Sequence, residues 1–417
     1  MDLLVHARST GNTPIITTSA GTTASDAFGR LRTSAPLTLF DSSYRYSDND
    51  LWATSTATGG TTAFSATEGL MNLSVTTSSG STVRRETTKV FAYQPGKSLL
   101  SLSTFVMAPA ITNLTQRVGY YGADNGFYLE QVNSTINFVE RSLVTGTETR
   151  IPKSAWNVDK LDGTGPSGLT LDLTKAQILW TDMEWLGLGT VRMGFVINGL
   201  MIHCHSFHHA NLISSTYIST ASLPLRYEIF TTGTTTGAAT LKQVCSTVIS
   251  EGGYELRGDQ KSVGNAVTAP TSLPTNGSNY PLISLRLKTS PNRLDAIVIP
   301  TAIALLPTTS DNFKWELQAR ATTTGGTWVS AAANSSVEYN STATGLTAGR
   351  ILANGYATAS NQGSAPVVVL KQALFQFQLE RQPFTSTPYE LTLVCSSDGN
   401  PSPGRVLSSI DFEEVTR

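Results

Sequence analysis

Four of the five histidines of this chain fall within seven residues, His203-Cys204-His205-Ser206-Phe207-His208-His209. Imidazoles spaced in this way are a feasible start for a zinc site, because His203 and His205 share one face of a strand. The second half of a site is missing. Cys204 points to the opposite face, and Arg192, opposite His205 in the expected hairpin register, disfavours a neighbouring cation. No Cys-x-x-Cys or His-Glu-x-x-His accompanies the cluster. The favoured reading is surface-facing strand histidines, with no metal and no cofactor.

The other polar constellations also favour structural roles. Asp182 and Glu184 share a strand face beside Trp180 and Trp185, at the roughly 6–7 Å that two same-face strand positions span, close to the separation used in glycoside hydrolysis. A solvated strand face explains the pair more simply. Asp124 and Asn125 offer oxygens to calcium, but lie in a glycine-bounded hairpin loop and make too few ligands. The loop Lys160-Leu-Asp-Gly-Thr-Gly-Pro-Ser-Gly-Leu169 lacks the Gly-Lys-Ser/Thr ending of a phosphate loop. Arg257-Gly258-Asp259 is a three-residue match to an adhesion motif. The Asn72 and Asn113 triplets matter only in a secreted eukaryotic protein. With no nucleophile elbow either, no catalytic residue is assigned and the chain is not expected to be an enzyme.

The elements that must carry these residues are strands. Hydrophobic residues make up 40% of the 417 residues, enough for real cores, while charged residues make up only 14%. Ser, Thr, Gly and Ala take their place, Thr and Val suit strands, and helix-favouring runs of Glu, Lys, Leu and Ala are nearly absent. A net charge of −1 lacks the basic field that nucleic acid requires, so no nucleic-acid partner is expected. No apolar run approaches a membrane span. Cys204, Cys245 and Cys395 are odd in number and far apart, which suits buried thiols in a reducing compartment. The opening MDLLVHARSTGNTP has an acidic second residue and too short an apolar stretch for a secretory leader, so synthesis in a cytoplasm is expected.

In chain order the reading is an extended arm over 1–25, a docking strap over 26–46, a first β-sandwich over 47–250, a linker over 251–279 and a second β-sandwich over 280–417. The class is all-β, with sandwiches of jelly-roll or lectin-like type. An arm of 25 residues reaches at most roughly 80 Å. Asp26–Tyr46 reads equally well as a strap or as the first strand of the body. Tyr93-Gln-Pro-Gly-Lys97 is a turn, and Asn198-Gly199 joins Val191–Ile197 to Leu200–Phe207 in a type I′ hairpin. That register sets Phe195 opposite Ile202, Gly194 opposite His203 and Arg192 opposite His205, with Leu200, Ile202 and Cys204 buried. The Gly- and Pro-rich 251–279 marks the boundary between the bodies.

Asp26-Ala-Phe-Gly-Arg-Leu-Arg-Thr-Ser34 followed by Leu39-Phe40-Asp41-Ser42 resembles the opening of a family of uncharacterised tailed-bacteriophage and environmental viral structural proteins. Tyr93–Lys97, Asp124–Gly126, Trp156-Asn157, Lys160–Gly168, Glu184–Gly187 and Cys245–Gly252 extend the resemblance over residues 26 to 255. The resemblance implies a virion component, made in the host cytoplasm, whose partners are other copies of itself and other virion proteins. Head decoration, collar and tail appendage all fit it, and no functional residues carry over. The strap residues Phe28, Arg30, Arg32 and Phe40 are the expected subunit contact. The alternative is a receptor-binding fibre or carbohydrate-binding tailspike protein, meeting host glycan through a groove lined by Trp180, Trp185 or Tyr128.

Overall fold

The computed structural model describes residues 6–9, 14–17, 35–255, 257–358, 367–369, 377–398 and 403–415. Strands account for 53% of the structure, and there is no α-helix among the described residues. The first body packs a seven-stranded antiparallel sheet against an eight-stranded one. The seven-stranded sheet runs, from one edge, through Thr147–Pro152, Thr135–Ser142, Gly126–Val132, Leu114–Tyr121, Leu225–Thr231, Thr82–Thr87 and Trp52–Ala57. The eight-stranded sheet is centred on Leu99–Val106 and Ala239–Ser250, and the histidine hairpin forms one of its edges. Alternate residues of both sheets meet in one core, with Val83, Val118, Tyr120, Phe127, Leu129 and Phe138 facing Leu73, Phe105, Leu179, Met193, Phe195 and Leu241.

The second body repeats the architecture with five and seven strands. Its core joins Ile283, Leu285, Phe313, Leu317 and Leu393 of one sheet to Val298, Leu305, Val406, Ile410 and Phe412 of the other. The two sandwiches expected from strand spacing are therefore present, but their borders differ. Leu37–Ser43 is a strand paired antiparallel with Ala239–Ser250, so the second half of the strap is part of the first sandwich. Asp259–Gly264 and Thr271–Leu273 both pair with Gly404–Glu414, so most of the expected linker is sheet. Short polar strands without an apolar run conceal such edges. In the expected arm, His6–Ser9 pairs with Pro14–Thr17, and this stretch doubles back instead of running straight. Phe28, Arg30 and Arg32 lie outside the described residues. Phe40 lies inside the first core, its ring 4.8 Å from Phe91 and 6.0 Å from Trp52, so it faces its own chain.

The bodies meet over a buried polar junction. Glu86, 1% exposed, accepts a hydrogen bond from Arg226 Nε at 2.6 Å and another from Arg381 Nη2 at 2.8 Å. Arg381 also donates from Nε to Asp295 at 2.6 Å, and its backbone N–H donates to Thr88 O at 3.0 Å. Gln378 Nε2 donates to Val90 O, and Arg350 pairs with Asp50. A small apolar cluster of Val90, Ala92, Ile297 and Ile299 completes the contact.

Two outcomes follow. Phe40→Ala should cost about 3–5 kcal/mol of stability, the usual range for an emptied aromatic core position. Equilibrium denaturation measures it, and a loss below 1 kcal/mol would return Phe40 to the surface. Arg381→Ala leaves Glu86 with Arg226 but without its cation from the second body, and should cost about 1.5–3 kcal/mol, the range for a lost hydrogen bond to a charged group. Calorimetry should then resolve two unfolding transitions; an unchanged single transition would contradict the coupling.

Candidate functional site

The residues 93–98, Tyr-Gln-Pro-Gly-Lys-Ser, make a tight turn in which Lys97 N–H donates to Gln94 O at 3.1 Å. Pro95 and Gly96 occupy its central positions, and Gly96 has φ of 87°, the left-handed region that glycine tolerates. Gln94 clamps the chain leaving the first body: its Nε2 donates to Glu255 O at 2.8 Å and its Oε1 accepts Glu255 N–H at 3.2 Å. On each side of this turn lies a cleft of about 480 Å³, and Tyr93 and Lys97 line both. Volumes of this size are typical of small-molecule sites.

One cleft opens onto the end of the strand Gln177–Met183 and the start of Val191–Ile197. Cross-strand pairing sets Asp182 opposite Arg192, and their side chains form an ion pair. Burial holds the Asp182 carboxyl above the usual carboxylate range, with Glu251 and Glu184 acting in the same sense and Arg192 opposing. Glu184 is exposed just past the strand, and its Oε2 accepts Thr190 N–H at 3.2 Å. The loop beyond it is pinned by Tyr217 Oη donating to Glu184 O and by Leu186 N–H donating to Tyr93 Oη. The other cleft lies between Gln94 and the Glu255–Arg257 ion pair. Together they place carboxylates, cations and a tyrosine edge around one lysine.

The structure brings Asp182 and Glu184 to this cleft, but not as the solvated strand face expected: Asp182 is buried and Glu184 lies past the strand end, and the aromatic residues expected to line a groove do not come together. Tyr128 is fully buried, its ring 4.3 Å from Tyr121, and the Arg117 and Arg141 guanidiniums cover it. Trp180 is buried against Gly194 and His203, and Trp185 packs edge-on behind Tyr93.

The histidines are dispersed. Gly194 faces His203 as expected, but a bulge then places His205 opposite Met193 and Ser206 opposite Arg192. Bulging at Cys204 turns its carbonyl to the N–H groups of Val158 and Asp159, which the two-residue period cannot foresee. Cys204 is buried, while Leu200 is exposed at the hairpin tip instead of joining it. His205 accepts Asn157 N–H on Nδ1 and packs edge-on to Phe207; burial lowers its pKa to about 4. His209 stacks on Tyr217 and bonds to Glu140 and Gly189 O; burial pulls it down, but these bonds prevail and leave it raised. Among the described residues no three metal-binding side chains converge.

Asn125 ties hairpin to loop by donating to Ser219 Oγ and accepting Leu143 N–H. In the glycine-rich loop the carboxylate of buried Asp159 accepts the N–H groups of Leu161 and Ser167, and a Cβ at Gly165 would collide with it. Asp159 escaped sequence reasoning because nothing around it marks a carboxylate as a loop centre. Lys97 escaped too, since a lone lysine in a turn carries no signature. Arg257 and Gly258 precede the strand that Asp259 begins, and the Gly258 N–H donates to Glu413.

No family model matches the sequence, and no curated protein matches it. Among solved structures, the β-glucanase of Bacillus licheniformis is similar at 10% identity and a TM-score of 0.32, covering 50% of this chain and 96% of its own. Peanut lectin is similar at 9% identity and a TM-score of 0.32, covering 52% and 98%. A cellulose-induced protein, Cip1, is similar at 11% identity and a TM-score of 0.33, covering 50% and 96%. At such scores these likenesses carry no argument about ligand or activity.

The two inner histidines give pH dependence of opposite sign. Between pH 6.5 and 4 the unfolded chain binds a proton at His205 that the folded chain refuses, so stability falls as pH falls through that window. The contribution of His209 is present below its unfolded pKa and is lost as pH rises through its raised folded value. His205→Gln should flatten the fall in melting temperature between pH 6.5 and 4; an unchanged slope would assign that fall to other groups.

Proposed function

We propose that this chain is a multi-copy exterior structural component of a tailed-bacteriophage virion, on the head, collar or tail. The observation that carries the reading is the buried junction at Glu86, where Arg226 of the first sandwich and Arg381 of the second hold one carboxylate. A joint of this kind suits a stiff building block better than a hinged enzyme. The resemblance over residues 26 to 255 supports the same reading. Its segments include the 93–97 turn, the Lys160–Gly168 loop that closes on Asp159 and Cys245–Gly252, which holds the second half of the strand Ala239–Ser250, all of them parts that hold a scaffold in shape. Assembly through many modest contacts would then stabilise the particle by multivalency.

A second reading, a receptor-binding appendage engaging host glycan, draws on the two clefts at Lys97. The structural role is tested by deleting residues 1–25. The remaining chain should stay folded and soluble but fail to incorporate into particles, measured by co-sedimentation with virions. Normal incorporation would overturn the assembly role given to that segment.

A further inference from the structure

We propose that the paired clefts around Lys97 form a binding site for an acidic saccharide, with one carboxylate at Lys97 and neighbouring hydroxyls on Glu184 and Asp182. This rests on the glycan-engaging reading of the same clefts and deepens it, while holding with or without the structural role; retention of neutral glycans alone would overturn it and leave that reading standing. The charges of the site are unevenly used. The Lys97 ammonium makes no hydrogen bond or ion pair among the described residues, while its stem is backed by Gly252 at the far side of the turn. Arg257 and Glu255, across the first cleft, are already paired, and Arg192 is paired with Asp182. Two charges therefore stay without an ion pair among the described residues, the Lys97 ammonium where the clefts meet and the Glu184 carboxylate in the second cleft. An anion seated at Lys97 gains a charge-assisted bond and gives that ammonium its partner.

The second cleft demands the opposite chemistry. Glu184 uses Oε2 for Thr190 N–H, and Asp182 uses Oδ2 for Arg192, so each has an oxygen left to accept a hydrogen bond. Ionised carboxylates accept and do not donate, so a ligand must present donors there without a second negative charge. One carboxylate followed by several hydroxyls meets both requirements, and an acidic sugar has that pattern. An acidic peptide would bring further carboxylates against Glu184 and Asp182. The exposed Leu186 side chain and the Tyr93 edge form an apolar rim for the C–H face of a sugar ring.

The full chain should be applied to an array of sialic- and uronic-acid oligosaccharides beside their neutral parents, and the best acidic glycan titrated by calorimetry. Retention of acidic over neutral glycans by tenfold or more is expected, weakening as salt is added. Lys97→Met should reduce affinity for the acidic glycan at least tenfold and bring it to the level of the neutral parent. Glu184→Gln should weaken acidic and neutral glycans alike, a readout that loss of charge attraction alone would not produce. Circular dichroism and melting of both variants should match the parent, since both side chains are solvent-accessible. Retention of no acidic glycan, full affinity in Lys97→Met, or preference for a polyglutamate peptide would each overturn the proposal.

Discussion

The structure hangs on one buried carboxylate. Glu86 sits where the two sandwiches touch, and a lone ionised carboxylate there would cost several kcal/mol in lost hydration. Arg226 from the neighbouring strand offsets part of that cost within the first body, and Arg381 from the second body adds its share only when the two are docked. The pleat makes the arrangement obligatory for the strand Thr82–Thr87. If Glu86 points outward to the junction, Arg85 must point inward, and it is fully buried. The interior accommodates that second charge through Gln243, Asp48 and Thr54, each within hydrogen-bond reach of the guanidinium. A single strand thus commits the loop holding Asp48, the centre of the opposite sheet and the second sandwich to one arrangement.

The outward face of the seven-stranded sheet extends the same logic. Arg84, Glu228, Arg117, Glu130 and Arg150 follow one another across its strands as a ladder of opposite charges. Direct cross-strand neighbours of opposite sign support pairing, and like charges there would oppose it. Arg117 of the ladder lies over Tyr128, and Arg141 and Arg226 beside it lie over the fully buried Tyr121, so the aromatic pair is roofed by cations. Desolvation pushes the Tyr121 hydroxyl well above its ordinary pKa, so the ring acts as packing throughout the working range of pH. A sheet that would otherwise present bare strands to water is covered by its own side chains, which suits a stiff outer body.

Against this saturated background the clefts at Lys97 stand apart. They lie where the turn at 93–98, the crossover at Glu255 and the end of the strand carrying Asp182 come together, with the turn and the crossover tied by the paired Gln94–Glu255 hydrogen bonds. Such a site is shaped before any ligand arrives, which lowers the ordering cost of binding.

Period-two alternation, turn residues and low charge were sufficient to read an all-β chain with two sandwiches, the Asn198-Gly199 hairpin and the turn at Pro95-Gly96. Both residues of the hairpin turn have positive φ, as a type I′ turn requires. These features are local, and local steric rules decide them. The strand Gly404–Glu414, which binds three others together, was missed because serines interrupt its Val406, Ile410 and Phe412 face. The bulge at Cys204, the carboxylate at the centre of the 160–169 loop and the burial of Phe40 were equally hidden. The meeting of Lys97, Asp182 and Glu184 joins residues some 85 positions apart, and the Glu86–Arg381 bond joins residues 295 apart. Which side chains oppose one another across such distances depends on sheet order and body docking, and only the tertiary structure decides those.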